Sequence, residues 1–386
     1  MVAELEIRYD ELAQEYAVSS RKYVSQIHKT SNNYTADWLY LLENIASKEY
    51  TIEVKKKDDV LFVILNYKGW QETLACMDAV LAQSYKNFHV LLIENGSGDE
   101  SPEKLKKYKN RKRVLFQENE QNLGFSGGVN QGINYAIKNS YPYLVLLNND
   151  AVLTKNWLEA LMRTMQRQDA SVATGLLLSG DGKKIEHTGD GYSYWGLPFP
   201  IQRDEPVEQA HKSGPVFGGT AGASLYKTEL FKDIGLFDEN FFAYFEDTDI
   251  NLRAQLAGHS AYYEKDAVAY HDHGTTSSKI PGFTVYQTFK NLPQVYWKNI
   301  PLALLFPVGW RFFGCYWLMY FRAVLRGQFS IATKGMLMSL VHFPHAIKQR
   351  WNIQGKRRVS ARYMKSVMYP DLPPNNKRTA RRIFHR

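Results

Sequence analysis

The segment FFAYFEDTDINLR, residues 241–253, sets four aromatic residues ahead of three acids. Read as the start of a helix, it puts Glu246, Asp249 and Arg253 on one face and points Asp247 elsewhere. Aromatic surroundings desolvate a carboxylate and raise its basicity, as a general base requires. Acids are also favoured in any first helical turn by the macrodipole, so the segment alone reads either way. Asn148-Asn149-Asp150 closes the apolar run YLVLL. Asp150 could hold Mg²⁺ or Mn²⁺, which take one or two carboxylates and complete their shell with phosphate oxygens and water. It could equally cap the helix that follows. Glu94-Asn95-Gly96-Ser97-Gly98-Asp99 follows the run FHVLLI. Its carboxylate and amide could read the imide edge of a pyrimidine, or the stretch could be ordinary turn chemistry. His271 and His273 follow the strand-like AVAY, and a histidine so placed can be a ligand or a structural group.

Elements of one kind carry these residues. From residue 60 the chain alternates short apolar runs with helical segments: VLFVILN, ETLACMDAVLAQ, FHVLLIE, RVLFQ, GVNQGINYAIKN, YLVLL and NWLEALMRTMQ. Unbroken apolar runs suit strands buried on both faces, and their spacing fits right-handed βαβ crossovers. The expected body, residues 59–280, is therefore an α/β domain with a mostly parallel central sheet. Ligands of such sheets bind beyond the strand C-termini, where Asn66-Tyr67, Glu94-Asn95 and Asn148–Asp150 stand.

With 44% hydrophobic and 23% charged residues, the 386-residue chain has the make-up of a globular protein, which excludes disordered, collagen-like and coiled-coil classes. Its two cysteines have no C-x-x-C spacing, which excludes a thiolate metal site or a disulfide framework and favours a reducing cytosolic setting. The opening MVAELEIRYDEL lacks the pattern of a secretory signal.

Residues 1–58 read as a helical appendage that packs on the body or on a second copy, a homo-oligomer being one outcome. Beyond residue 280, PLALLFPVGWRFFGCYWLMYF (301–321) and FSIATKGMLMSLVHFPHAI (329–347) give residues 281–350 the pattern of amphipathic, membrane-associated helices, followed by a basic tail, 351–386. The central Arg311, the prolines and the aromatics favour helices lying in the interface over a span. A soluble helical layer is the alternative. Residues 322–386 hold fifteen Lys and Arg against the single acid Asp371, so a basic end joins an acidic body. That asymmetry favours an anionic membrane surface over nucleic acid as a partner, with the protein peripheral on the cytoplasmic face of the plasma membrane.

VILNYKGWQETLACMDAVLAQSY, LLIENGSGDES, NLGFSGGVNQGINYA, LLNNDAVL, GGTAGASLYKTELFKDIGLFDENFFAYFEDTDINLRAQLAG and VAYHDHGTTSS occur in that order. In order and spacing, over roughly residues 59–280, they resemble the family 2 inverting glycosyltransferases, and within them the rhamnosyltransferase-type branch of bacterial surface polysaccharide synthesis. The resemblance implies a GT-A fold, a nucleotide-sugar donor and a divalent cation (Mg²⁺ or Mn²⁺). It places Tyr67, Glu94, Asn95 and Asp99 at the base and ribose, and Asn148, Asn149 and Asp150 at the D-x-D motif, with Asp150 the metal and diphosphate contact. Asp247 falls on the catalytic base and His271 on the histidine that completes the metal shell. Glu246, Asp249 and Arg253 become acceptor-side candidates. Glu94 stands where Asp is usual, and Asn148 replaces the motif's first acid, leaving one carboxylate for the metal. The branch implies dTDP-rhamnose as donor and a polyprenyl-diphosphate-linked glycan as acceptor. The Gly124–Gly128 loop, opening a helix, could turn backbone N–H groups toward phosphate. Two other readings compete. A nucleotidyltransferase would need a Gly-rich basic loop after the first strand, where this chain has LNYKGW. A non-catalytic membrane-associated scaffold of the same fold is opposed by the intact Asp150, Glu246, Asp247 and His271.

Overall fold

The computed structural model describes residues 59–271 and 280–374. The appendage expected over residues 1–58, His273 and the last residues of the basic tail lie outside them. The first half is strictly alternating: β1 (Val60–Asn66), α1 (Trp70–Leu81), β2 (Phe88–Glu94), α2 (Ser101–Leu105), β3 (Val114–Glu118), α3 (Gly124–Lys138) and β4 (Tyr143–Asn148). The seven segments picked out by apolar runs form the expected strands and helices. β4, β1, β2 and β3 lie side by side and parallel.

The second half departs from simple alternation. It runs β5 (Ala151–Leu153), α4 (Trp157–Gln168), β6 (Val172–Ser179), β7 (Ile185–His187), β8 (Asp190–Tyr192), β9 (Pro198–Pro200), β10 (Gly214–Val216), β11 (Ala223–Lys227), α5 (Thr228–Ile234), α6 (Glu246–Leu256) and β12 (Ala261–His271). β11 inserts between β4 and β6, antiparallel to both, and β12 pairs parallel with β6. The sheet is therefore mixed, in the order β10-β12-β6-β11-β4-β1-β2-β3. β5 crosses to pair with the end of β12, and β7 pairs with β6.

Both faces of the sheet are covered, which is why its strands are apolar without alternation. Val60, Phe62 and Ile64 pack with Met77 of α1 and Trp157 and Leu161 of α4. Leu61 and Val63 pack on the other side with Val129 and Ile133 of α3 and Ile250 of α6. α3 sits close on β1, since a Cβ on Gly132 would stand 2.3 Å from a Val63 methyl.

Four helices complete the described chain: α7 (Phe283–Asn299), α8 (Leu302–Leu325), α9 (Phe329–Gly355) and α10 (Ala361–Val367). Leu292 and Val295 of α7, and Leu304, Val308 and Phe312 of α8, share a third core with Leu252 and Leu256 of α6, Tyr192 and Phe217. The C-terminal helices are thus packed onto the α/β body.

Candidate active site

Strand register assembles one wall of the candidate site. Asn66 pairs with Glu94, and Leu65 with Asn148, so the ends of β1, β2 and β4 are level. The buried Glu94 carboxylate accepts from the backbone N–H of Gly96 at 3.1 Å and of Ser97 at 3.0 Å, and from the Ser97 hydroxyl. It therefore fixes its own turn. Asn95 is also buried: its Nδ2 donates to Asn122 Oδ1 at 3.0 Å and its Oδ1 accepts from Asn119 Nδ2 at 2.9 Å. Both residues shape the wall through the backbone they hold. Tyr67 is half-buried at the end of β1. Asp99 is exposed and accepts from the Ser101 N–H at 2.8 Å.

At the end of β4, Asn149 turns down to donate to the Gly69 carbonyl at 3.1 Å and the Thr73 hydroxyl at 3.0 Å, bracing the β1–α1 turn. Asn148 and Asp150 stay half-buried. Pairing of β5 with β12 sets His271 opposite Ala151, the neighbour of Asp150. His271 Nε2 consequently lies 3.0 Å from Asp150 Oδ1, while its Nδ1 lies 2.7 Å from Glu186 Oε2. Burial disfavours a charged ring, but hydrogen bonds to the two carboxylates and their charges outweigh it and raise the His271 pKa to about 9.

Asp247 occupies the first turn of α6, half-buried, behind a backbone with left-handed residues at Phe242, Tyr244 and Phe245 (φ 63°, 68° and 70°). Such residues cost about 1–3 kcal/mol each unless their surroundings hold them. Here the Phe242 carbonyl accepts from the N–H groups of Phe125 at 2.7 Å and Ser126 at 3.3 Å. Asn291 Nδ2 of α7 lies within 3.0 Å of the carbonyls of Phe241, Ala243 and Tyr244. Phe125 and Ser126 of the Gly124–Gly128 loop thus spend their N–H groups on the loop before Asp247, which corrects the expectation that these groups face phosphate. A Cβ on Gly124, at φ 72°, would lie 2.6 Å from the Phe242 carbonyl oxygen.

Burial, and after it the nearby charge of Asp190, raise the Asp247 pKa above the ordinary carboxylate range. Glu246 is 8% exposed and is also raised, by burial and then by Asp247. Among the described residues its Oε2 has no hydrogen-bond partner. Asp249 and Arg253 do not reach this wall. Asp249 is fully buried, 2.9 Å from Arg253 Nε and 2.8 Å from Asn299 Nδ2. Arg253 also donates to the carbonyls of Ile234, Gly235 and Leu236. The acceptor-side expectation for these two is corrected: a helix face that looks catalytic in sequence is the buried one.

One short segment that sequence reasoning missed links the two carboxylate centres. Glu186 holds His271, and Asp190, four positions on, receives His187 Nε2 at 2.7 Å and Asn251 Nδ2 at 2.9 Å beside Asp247. His187 Nδ1 accepts from the Gly189 N–H, so its Nε2 carries the proton given to Asp190. The string EHTGD, with four polar residues around one glycine, was the available signal.

Among the described residues no group of three or more His, Cys, Asp or Glu is arranged to hold a metal ion. The Asp150–His271 pair still fits part of an octahedral shell. Two neighbouring ligands of a cation at about 2.1 Å stand about 3 Å apart, leaving the other positions to diphosphate oxygens and water. The 3.0 Å between Asp150 Oδ1 and His271 Nε2 meets that requirement.

Residues 61–235 match the model of Glycosyl transferase family 2. The chain is 30% identical over 182 residues to Glycosyltransferase GlyG of Streptococcus pneumoniae serotype 4, covering 45% of this chain and 58% of GlyG. It is 22% identical over 244 residues to the low-salt glycan biosynthesis hexosyltransferase Agl10 of Haloferax volcanii, covering 61% of this chain and 74% of that one. The chain thus spans little more than half the length of GlyG. The solved structure of GalNAc-T7 with UDP, GalNAc and Mn²⁺ aligns at a TM-score of 0.47 and 15% identity, over 61% of this chain and 51% of that one. Over residues 61–235 the chain is thus similar to glycosyltransferase family 2, and its mixed sheet is of the GT-A type.

Proposed function

We propose that this protein is an inverting glycosyltransferase that moves a sugar from a nucleotide-diphosphate donor to a hydroxyl of a glycan. One relationship carries the reading: within five residues of chain, Glu186 holds His271 beside Asp150 and Asp190 bears on Asp247, so one short segment joins a candidate diphosphate-side pair to a carboxylate of raised basicity. Asp247 accepts the acceptor's hydroxyl proton as that oxygen attacks the anomeric carbon. The bond from that carbon to the diphosphate breaks on the opposite side, its electron pair leaves with the nucleotide diphosphate, and the configuration inverts. Asp190 raises the basicity of Asp247, and His187 and Asn251 hold Asp190 in place.

Asp150 and His271 are the residues that would hold a divalent cation, with Glu186 fixing the His271 ring through Nδ1. When bound, Mg²⁺ or Mn²⁺ supplies charge neutralisation for the departing diphosphate. The motif resemblance supports dTDP-rhamnose as donor and a lipid-linked glycan of bacterial surface polysaccharide as acceptor. The names of GlyG and Agl10 support glycan synthesis in general. The test is donor hydrolysis across a panel of dTDP-, UDP- and GDP-sugars, followed by assignment of the product's anomeric configuration by NMR. Turnover of one donor with inversion is the expected result. Absence of turnover across the panel, or retention, overturns the reading.

A further inference from the structure

We propose that the outer face of α8 and α9 is a seat for an anionic lipid bilayer, with both helices lying parallel to the membrane plane. The exposed large apolar side chains of the described protein are concentrated there: all but Val152, Tyr270 and Ile280 belong to residues 302–363. On α8, Leu302, Phe306 and Trp310, then Trp317, Phe321 and Leu325, recur at four-residue intervals and form a continuous stripe. Phe306 is 83% and Leu325 88% exposed. α9 adds Leu337, Leu340, Val341 and Trp351. A contiguous apolar face of this extent on a folded body marks an interaction surface.

The opposite side of α8 decides how the helix meets a bilayer. α8 is the one described helix long and apolar enough to cross a membrane. Yet Leu304, Val308, Phe312, Tyr316 and Ala323, spread along its length, are buried in the core shared with α6 and α7. A helix attached along one side to a polar catalytic body lies on the membrane instead of through it.

Charge selects the occupant. Between Asp272 and Asp371 the sequence has no Asp or Glu. Exposed Arg322, Arg326, Lys334 and Arg357 belong to the same helices and their connections. A second copy of this chain would bring the same cations to the face and be repelled, whereas anionic headgroups complement them. Trp and Arg beside aliphatic side chains also suit the boundary between acyl chains and headgroups.

The seat also adjoins the site. Trp195, in the hairpin that continues from Asp190, stands 6.2 Å from Trp310, and the Arg311 guanidinium lies 5.0 Å from the Tyr194 ring. An acceptor carried by a lipid would thus reach the cleft from the bilayer. That consequence rests on the transferase reading; the seat does not.

Sedimentation of the full chain with phosphatidylcholine vesicles, with and without phosphatidylglycerol, tests the proposal without any donor. The wild-type protein should bind the anionic vesicles more tightly. Phe306→Ser with Leu318→Ser should weaken binding roughly tenfold or more at every salt concentration. Arg322→Gln, Arg326→Gln and Lys334→Gln together should weaken it at low salt and match wild type at high salt. All five side chains are exposed, and thermal melting checks that each variant is folded. Undiminished binding by the apolar variant overturns the proposal. So does resistance to alkaline extraction, which would show a span, or a tight dimer in ultracentrifugation that the apolar variant dissolves. Loss of vesicle binding with donor turnover intact leaves the transferase reading standing, and the converse result overturns that reading alone.

Discussion

The ammonium of Lys298 stands 2.9 Å from the Asp249 carboxylate, two positions beyond the candidate base on α6. The same ammonium is 2.7 Å from Asp238, in the loop that leads into the base-bearing turn. Lys298 lies on α7, outside the residues that match the family model. A cation from the C-terminal helices therefore holds the turn before Asp247 from behind, with Asn291 taking its carbonyls.

Lys298→Met should destabilise the protein by about 3 kcal/mol, because it removes the buried cation that two carboxylates share and leaves only Arg253 beside Asp249 and His345 beside Asp238. Denaturant unfolding measures this. The Asp238 and Asp249 carboxyls are both held below the usual range: burial alone would raise them, but Lys298 and its neighbours outweigh it. Their contribution to stability is present above the unfolded carboxylate pKa of about 3.9 and is lost as pH falls through the lower folded values. Acid unfolding should start at higher pH in the variant.

Asp247→Asn should lower sugar transfer by roughly 10²–10⁴-fold while leaving donor affinity near wild type, since the amide keeps the shape and cannot take the proton. Transfer rates and donor calorimetry check it together. Appreciable residual transfer would move the base role to Glu246.

The pH profile should show an acid limb well above the ordinary carboxylate range. Asp247 works only when deprotonated, and its pKa is raised, so activity falls as pH drops through that raised value. Asp190→Asn removes an adjacent negative charge and should shift the limb to lower pH. An unmoved limb would show that Asp190 does not act on the base.

Chelation should abolish activity, and Mn²⁺ or Mg²⁺ should restore it. Asp150→Ala and His271→Ala should weaken the cation response, and Glu186→Gln should weaken it roughly 10–100-fold through the ring it orients. Cation titration by calorimetry provides a readout separate from turnover. Full activity in excess chelator would exclude the role.

The parallel half of the fold was legible because β1, β2 and β4 bury both faces and show it as unbroken apolar runs. The antiparallel insertion of β11 was not, since five residues, ASLYK, carry no direction. Motif position singled out Asp150, His271 and Asp247, and the structure brings the first two within 3.0 Å of each other. Their partners Glu186 and Asp190 could not be singled out in this way, because the β6–β7 hairpin that carries Glu186 meets His271 only through the pairing of β6 with β12, distant in sequence. Asp249 and Arg253 misled for a related reason: periodicity fixes which residues share a helix face, but only packing decides which face is inward.

The turn ahead of Asp247 is held almost entirely by its own peptide groups: the Phe242 carbonyl by α3, and those of Phe241, Ala243 and Tyr244 by Asn291. Its side chains at positions 242, 244 and 245 are only half-buried, the first two resting against Phe283. Exchanging one aromatic for another there would recontour the surface beside Asp247 while the backbone hydrogen bonds remain. Such a loop separates the contour of its outer surface from the placement of the carboxylate behind it.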